Sequence, residues 1–201
     1  MLKREARAES LRMRETLKGP DVDKKSKTIC QRFIDKFGPQ LSQTRVLHVF
    51  LSMPIRKEVN TNYIIEAIEQ DYANVQLVTS YITDFENSVM QTTRFKLSDE
   101  LISNKWGVPE PIEVWPVDAK EIDLVLIPLL AFDKQGHRVG YGKAFYDRFL
   151  HHCRPDALRI GVSMFGPVDE IDDLHDTDIP LHYCVTPDKV YQFAPPATNG
   201  Q

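Results

Sequence analysis

The spacing of apolar residues predicts two helices in the first part of the chain. Residues 2–18 contain no Gly or Pro and are rich in Ala, Arg, Leu, Met and Glu, a composition that favours a helix ended by Gly19-Pro20. Asp21 can cap a second helix, which Gly38-Pro39 would break. The apolar residues of this second helix keep to one side: Val22, Ile29, Phe33 and Phe37.

Short apolar runs alternate with helical segments in the rest of the chain. Strands are predicted at residues 46–51, 75–79, 90–96, 124–127, 158–164 and 183–185. Asn60 or Thr61 can cap a helix, and a further helix is predicted near residues 144–153. The first of these two helices would bury Ile64, Ile65 and Ile68.

This order of elements predicts an α/β fold. We expect a single three-layer αβα domain over residues 1–193, with a largely parallel central sheet. Residues 194–201 have the composition of a disordered tail. A chain of 201 residues with 42% hydrophobic and 27% charged residues is also in the range of one globular domain with one core.

Charge and cysteine content narrow the function classes. A formal net charge of -4 argues against bulk attraction to nucleic acid or anionic membranes. The cysteines at 30, 153 and 184 lack the paired short spacing of zinc sites or disulfide scaffolds, which favours a reducing compartment. The first residues are too charged for a signal peptide, and the apolar run 124–132 is too short to cross a bilayer. We therefore expect a soluble cytoplasmic protein with no nucleic-acid or membrane partner.

Basic residues nevertheless cluster in the first predicted helix. They are Lys3, Arg4, Arg7, Arg12, Arg14 and Lys18, against Glu5, Glu9 and Glu15. Helical spacing places Lys3, Arg7 and Arg14 on one face. Such a charge run is usually a solvated helix face. RNA binding is another alternative, although the acidic total and the lack of interleaved aromatic residues count against it.

Residues 127–150 run from a buried strand through a glycine-rich loop into a helix. Gly136, Gly140 and Gly142 let the backbone approach a ligand closely. Arg138 and Lys143 bring positive charge, and the following helix offers unpaired amides. Together these features predict a phosphate-binding loop, whereas glycine spacing taken alone favours a simple turn. Neither the dinucleotide-binding glycine pattern nor a Walker-type loop is matched, so another kind of nucleotide site is required.

The segment from Pro128 to Leu150 resembles the motif of the 5-formyltetrahydrofolate cyclo-ligases, also called methenyltetrahydrofolate synthetases. The shared residues are Ala-Phe-Asp at 131–133, the Gly before Arg138, Gly-Tyr-Gly-Lys at 140–143 and Phe-Tyr-Asp-Arg at 145–148. Ala144 stands where the family usually has a third glycine, and its methyl group would narrow the phosphate pocket.

Further elements that resemble this family follow in order along the chain. The residues Lys3-Arg4-Glu5-Ala6-Arg7 resemble its opening basic helix, and Lys57-Glu58-Val59-Asn60-Thr61 the element whose glutamate contacts the folate. The residues Trp106-Gly107-Val108-Pro109-Glu110-Pro111 resemble a further element, in which the tryptophan either stacks on a pterin ring or packs against the protein. The segment 178–186 resembles the closing element, with His182 in place of a second acid.

The resemblance implies an enzyme that uses ATP and Mg to cyclise 5-formyltetrahydrofolate to 5,10-methenyltetrahydrofolate, through a phosphorylated formyl group and with release of ADP and phosphate. Such a reaction needs no enzyme nucleophile, because phosphoryl transfer asks mainly for alignment and charge neutralisation. We expect a monomer that acts on a folate with or without a polyglutamate chain. The alternative is a non-catalytic sensor of a nucleotide or phosphorylated metabolite, which the departures at Ala144 and His182 would favour.

The resemblance also implies roles for individual residues. ATP would be bound by Lys3, Arg7, Arg138, Val139, Gly140, Tyr141, Gly142, Lys143, Ala144, Phe145 and Tyr146. The folate would be bound by Met53, Glu58, Trp106, Tyr141 and Phe145. Catalysis would depend on Arg138, Lys143 and Tyr146. The carboxylates of Asp147 and Asp178 would bind Mg.

Overall fold

The helices and strands were located in a computed structural model that describes residues 1–194, so most of the expected tail at 194–201 lies outside the described residues. The helices in this range are α1 (Lys3–Thr16), α2 (Gly19–Leu41), α3 (Asn62–Asp71) and α4 (Phe145–His152). The strands are β1 (Val46–His48), β2 (Gln76–Asp84), β3 (Val89–Arg94), β4 (Leu101–Ser103), β5 (Pro109–Pro111), β6 (Pro116–Val117), β7 (Leu124–Pro128), β8 (Ala131–Phe132), β9 (Arg138–Val139), β10 (Leu158–Val162), β11 (Tyr183–Val185) and β12 (Val190–Gln192).

One large sheet contains eight of these strands, in the order β12-β11-β10-β7-β1-β2-β3-β6. The four strand pairs at its centre, from β11 to β2, are parallel, whereas β12, β3 and β6 join it antiparallel. The remaining strands form two small ribbons, β4 with β5 and β8 with β9. Parallel neighbours require a crossover connection, which α3 provides between β1 and β2. The predicted α/β class with a largely parallel sheet is confirmed.

Helices cover both faces of the large sheet. In β7, Leu124 and Leu126 pack into the cluster that includes α2 and α3, whereas Val125 and Ile127 pack into the cluster that includes α4. The alternation follows from the pleat, which turns successive side chains to opposite faces. The layers are therefore helix, sheet and helix, as predicted. Within residues 1–194, no helix combines the length and apolar character needed to span a membrane.

The predicted start of the second helix is wrong by three residues, because the cap is Lys18 rather than Asp21. The helix α2 begins at Gly19, and Asp21 lies inside its first turn rather than before it. Its carboxylate still stabilises the N-terminus of the helix, because it accepts a hydrogen bond from the Lys18 amide at 3.1 Å. Pro20 is compatible with this first turn, since a residue there needs no helical hydrogen bond from its own nitrogen.

The predicted end of this helix is also wrong, because α2 continues through Gly38-Pro39 to Leu41. Phe37 and Leu41 are both buried in the core, and continued helix keeps them on the same side as the preceding apolar residues. Burial of two large side chains outweighs the single hydrogen bond that a proline removes.

The first predicted strand is shorter than expected. The strand β1 ends at His48, and residues 49–51 leave the sheet as a loop. The Thr61 hydroxyl holds this loop by donating to the carbonyl of Phe50 at 2.7 Å. Thr61 is the cap residue of α3, but its side chain makes no capping hydrogen bond. The side chain of Asn60, one residue earlier, accepts from the first helical amide, that of Asn62, at 3.1 Å.

Candidate active site at the carboxyl ends of the central strands

A cleft of about 760 Å³ lies beyond the carboxyl ends of β1 and β7. Its walls come from the start of α1, the segment after β1, the second half of β2, the glycine-rich loop 140–144 and the start of α4. In open α/β sheets this edge is the usual ligand site, because the loops that follow parallel strands meet there. A wider groove of about 1040 Å³ lies between the end of α3 and the segment after β3, and it contains none of the predicted site residues.

The structure brings every predicted site residue to the cleft of 760 Å³. The residues expected to bind ATP that line it are Lys3, Arg7, Arg138, Val139, Gly140, Tyr141, Gly142, Lys143, Ala144, Phe145 and Tyr146. The others that line it are Met53, Glu58, Trp106, Asp147 and Asp178. Residues from five separate parts of the chain thus share one concave surface.

The glycine-rich loop is held against α1 by Arg7. The Nε of Arg7 donates to the carbonyl of Gly140 at 2.9 Å. Gly142 has a φ of 95°, and a Cβ there would lie 3.3 Å from Nη2 of Arg7. Glycine is required at this position for both reasons, because a side chain would be strained and would crowd the guanidinium. The two basic segments predicted from the sequence therefore form one cationic surface.

Ala144 occupies a backbone conformation that suits glycine better. It lies in the left-handed region, at φ 55° and ψ 20°, directly before α4. Since a Cβ is strained in this region by about 1–2 kcal/mol, Ala144→Gly is expected to raise the free energy of unfolding by about 1 kcal/mol. The matched control Ala67→Gly, in the middle of α3, should lower it by about 1 kcal/mol. Urea unfolding measures both changes, and equal destabilisation by the two variants would contradict strain at Ala144.

Aromatic rings and lysines form a stack on one wall of the cleft. The rings of Phe85 and Trp106 lie face to face, with centroids 3.8 Å apart and planes within 9°. The Lys143 ammonium lies 5.0 Å from the centroid of Phe85, and that of Lys105 lies 4.5 Å from the centroid of Trp106. Phe85 therefore covers one face of Trp106, and a pterin ring could stack there only after Phe85 moves. Phe85 was missed from the sequence, because no local pattern marks it.

Arg138 and Asp147 form a largely buried ion pair, with Nη2 of Arg138 2.7 Å from Oδ1 of Asp147. The other terminal nitrogen of Arg138 donates to the carbonyl of Ile179, and the amide of Ile179 donates to Asp147 at 3.1 Å. Burial lowers the pKa of Arg138, and the Asp147 charge acts against this shift. Because both terminal nitrogens of Arg138 already donate to the protein, the guanidinium orients Asp147.

Lys3 and Asp178 form a second ion pair at the same end of the cleft. The carboxylate of Asp178 also accepts from the amide of His175 at 2.7 Å. Partial burial acts to raise the pKa of Asp178, but the hydrogen bonds from His175 and Lys3 outweigh it and the pKa is lowered. Asp178 is therefore a carboxylate at neutral pH.

Asp147 and Asp178 each keep one oxygen without a hydrogen bond from the described residues, Oδ2 and Oδ1 respectively. No cluster of three or more His, Cys, Asp or Glu side chains suited to a metal exists within residues 1–194. Mg²⁺ commonly takes one or two carboxylates and completes its shell with water and phosphate oxygens. Two half-free carboxylates beside a cationic surface fit that pattern.

Glu58 lies in the part of the cleft wall that the segment after β1 provides, and it is 4% exposed. Its Oε2 accepts from the amide of Met53 at 2.7 Å, and its Oε1 accepts from the Tyr141 hydroxyl at 2.8 Å. Burial raises the pKa of Glu58, while these hydrogen bonds and the charges of Arg14 and Arg56 oppose the shift. Tyr141 thereby joins the glycine-rich loop directly to the glutamate.

Tyr146 lies in the first turn of α4 and also lines the cleft. Burial, together with the Glu58 carboxylate, raises the pKa of Tyr146 far above its usual range. Its hydroxyl is therefore protonated, and it makes no hydrogen bond with the described residues. A protonated hydroxyl without a protein partner can donate to a ligand in the cleft.

The fold and the cleft together define an α/β ligand-binding protein that gathers lysines, arginines and aromatic rings around one site. Residues 1–186 match the family model described as the 5-formyltetrahydrofolate cyclo-ligase family, and the chain belongs to this family. The family expected from the sequence motifs is thereby confirmed, and with it the expectation of an enzyme of the ligase class.

Individual relatives agree with this assignment. A Schizosaccharomyces pombe protein named probable 5-formyltetrahydrofolate cyclo-ligase is 27% identical over 184 residues, which cover 84% of this chain and 87% of that protein. The Escherichia coli K12 5-formyltetrahydrofolate cyclo-ligase is 28% identical over 158 residues, which cover 77% of this chain and 85% of that protein. The NMR structure of Aquifex aeolicus 5,10-methenyltetrahydrofolate synthetase has a TM-score of 0.77 at 24% identity, over 100% of this chain and 97% of that one. At that identity, the structural likeness supports the fold.

Proposed function

We propose that this chain catalyses the ATP-dependent cyclisation of 5-formyltetrahydrofolate to 5,10-methenyltetrahydrofolate, with release of ADP and phosphate. One observation carries the proposal: a cationic surface and a buried carboxylate face the same cleft, and Tyr141 connects them. The reaction needs a triphosphate and a folate side by side, and these two walls offer complementary groups to each. Membership of the cyclo-ligase family supports the same reaction.

The nucleotide end of the cleft would bind the phosphates of ATP. Arg7 and Lys3 from α1 face the loop 140–144, whose backbone can approach the phosphates because Gly142 has no side chain. Lys143 makes no hydrogen bond or ion pair with the described residues, so its ammonium is available to phosphate oxygens.

Asp147 and Asp178 would hold Mg²⁺ through their half-free carboxylates. When bound there, Mg²⁺ would supply neutralisation of charge on the phosphate oxygens. Arg138 serves this site by orienting Asp147, because its terminal nitrogens are already engaged with the protein. Lys3 does the same for Asp178 and also adds charge to the phosphate end.

The folate end would place the formyl group next to the terminal phosphate. The formyl oxygen takes the phosphoryl group as the bond to ADP breaks, and the neighbouring amine then attacks the formyl carbon. That attack closes the ring, and loss of phosphate and of the amine proton then leaves the methenyl carbon double-bonded to nitrogen. Glu58 would hold the pterin, and Tyr146 would donate a hydrogen bond to an oxygen of the reacting groups.

The test is growth of methenyltetrahydrofolate absorbance when purified protein meets 5-formyltetrahydrofolate, ATP and Mg²⁺. We expect a signal that requires both ATP and Mg²⁺, and a loss of about 10²-fold or more in Asp147→Asn. Asparagine is chosen because it keeps the shape and the acceptor for Arg138 while removing the charge. Asp35→Asn, on α2, is the matched control and should leave the rate unchanged. Folded wild-type protein that binds ATP without turnover would favour the sensor alternative.

The departures that suggested a sensor remove nothing from the site. His182 does not line the cleft, and its Nδ1 accepts from the amide of Arg159 at 3.1 Å. Ala144 keeps the left-handed conformation that suits the glycine expected there. The enzyme therefore remains the function that the geometry supports best. We further propose a cytoplasmic monomer that accepts folates with or without a polyglutamate chain and has no nucleic-acid or membrane partner.

A further inference from the structure

Arg14 is a buried cation that the proposed chemistry does not use. It continues the buried stripe of α1 formed by Ala6 and Ser10, and it is 5% exposed. No carboxylate within residues 1–194 lies at ion-pair distance from it, and its Nε is buried without a hydrogen-bond partner. A buried guanidinium is costly unless a negative charge compensates it. Its compensation must therefore come from further away.

Hydrogen bonds lead from Arg14 to Glu58 through one hydroxyl. The Nη1 of Arg14 donates to the Tyr141 hydroxyl at 3.0 Å, and that hydroxyl donates to Oε1 of Glu58 at 2.8 Å. The guanidinium is held in place by donation from Nη2 to the carbonyl of Leu129 at 2.7 Å and from Nη1 to that of Arg56 at 3.3 Å. Since arginine can only donate and a carboxylate can only accept, the hydroxyl has one orientation.

We propose that Arg14 is a positioning residue: through the Tyr141 hydroxyl it fixes the side chain of Glu58 relative to the nucleotide loop and favours its charged form. This inference rests on the proposed function, in which Glu58 contacts the folate. We call the hydrogen-bond path from Arg14 through Tyr141 to Glu58 the relay. Its three members come from α1, the glycine-rich loop and the turn after β1. Correct docking of α1, which also carries Lys3 and Arg7 into the ATP end, thereby sets the charge at the folate end.

The groups that face Glu58 determine the expected pH dependence. They are Arg14 from α1, Arg56 from its own turn, Tyr141 from the loop and Tyr146 from α4. Removal of the Arg14 charge deletes one of the factors that oppose the upward shift caused by burial, so Glu58 should take up its proton at a higher pH. As the solution is acidified, kcat/KM for the folate should therefore fall at a higher pH than in the wild type.

The test compares Arg14→Met, Tyr141→Phe and the double variant. Each single change should lower kcat/KM for the folate by about 10- to 100-fold and leave KM for ATP within about threefold, as expected for loss of one charge-assisted hydrogen bond. The acid limb of kcat/KM should move up by about one pH unit. The kcat/KM of the double variant should be no lower than that of the less active single variant, because both changes interrupt the same hydrogen-bond path. Arg12→Met, at an exposed position of the same helix, is the control.

A direct readout that needs no turnover is the carboxyl ¹³C titration of Glu58, assigned by comparison with Glu58→Gln. The proposal holds if the pKa of Glu58 rises in both Arg14→Met and Tyr141→Phe. An unchanged titration, together with losses that multiply in the double variant, would reduce Arg14 to an anchor of α1 and overturn it. Tyr141→Phe leaves α1 untouched, so it tests the relay even if Arg14→Met fails to fold. Absence of turnover in the wild type would count against the proposed function, while the titration would still test the relay.

Discussion

Lys143→Met is expected to lower kcat for methenyltetrahydrofolate formation by about 10³-fold, the cost of removing a charge that acts on a transferring phosphoryl group. The Lys143 ammonium rests over Phe85 and has no carboxylate or carbonyl partner among the described residues, so a ligand need not break an ion pair to recruit it. Methionine keeps the length of the side chain and can still contact the aromatic ring. The change therefore removes charge and leaves packing in place. Steady-state kinetics with each substrate varied in turn measures the effect.

Lys105→Met is the matched control for this prediction, because Lys105 lies on Trp106 at the other end of the same stack. We expect its kcat to stay within about threefold of the wild type, since it does not line the cleft. Lys143→Arg should recover part of the lost rate. A Lys143→Met enzyme with unchanged kcat and a raised KM for ATP would contradict a role in the phosphoryl transfer, because that pattern indicates equal binding of ground state and transition state.

The residues of the proposed phosphate end could be located from the sequence because they follow local patterns. Gly142 has a φ of 95°, which favours glycine, and Lys143 follows it directly, so glycine and positive charge together indicate a phosphate-binding loop. The face of α1 that carries Lys3 and Arg7 follows from helical periodicity in the same way. What the pattern could not give is the contact between them, the hydrogen bond from Arg7 to Gly140, which depends on tertiary packing.

Residues whose role depends on distant partners escaped prediction. Arg14 belongs to a charge run that usually faces solvent, yet the structure buries it because the Tyr141 hydroxyl and two carbonyls converge on it. Phe85 lies in a turn with no distinguishing pattern, and it meets Trp106 only because the β2–β3 and β4–β5 turns come together. Burial of a charge and pairing of loops are properties of the folded chain.

The centre of the sheet was predictable and its edges were not. Central strands such as β7 are buried on both faces and read as continuous apolar runs, which the sequence displays. The edge strands β6 and β12 have two or three residues each, and so have β8 and β9 of the separate small ribbon, which is too few to show a period. Their positions are set by hydrogen bonding to neighbouring strands, so the local sequence does not predict them.

Glu58→Gln is expected to weaken binding of 5-formyltetrahydrofolate by about 10²-fold, because the carboxylate proposed to accept from the pterin N–H groups loses its charge. Glutamine keeps the volume of the side chain but brings an amide nitrogen into a site where Met53 and Tyr141 already donate. The wild type should also bind folate less tightly as pH falls through the raised pKa of Glu58, since the protonated form is neutral. The variant should show no such dependence. Calorimetric titration with the folate over a range of pH measures both effects.

Glu66→Gln, at an exposed position of α3, provides the control for the loss of one glutamate charge and should bind folate as the wild type does. ATP affinity should stay within about threefold in Glu58→Gln, because the cationic surface is unchanged. If Glu58→Gln bound the folate normally and kept the pH dependence of the wild type, the carboxylate would have no part in recognising the pterin. The buried glutamate would then serve to neutralise Arg14, and the folate end of the cleft would have to be sought among the aromatic residues around Trp106.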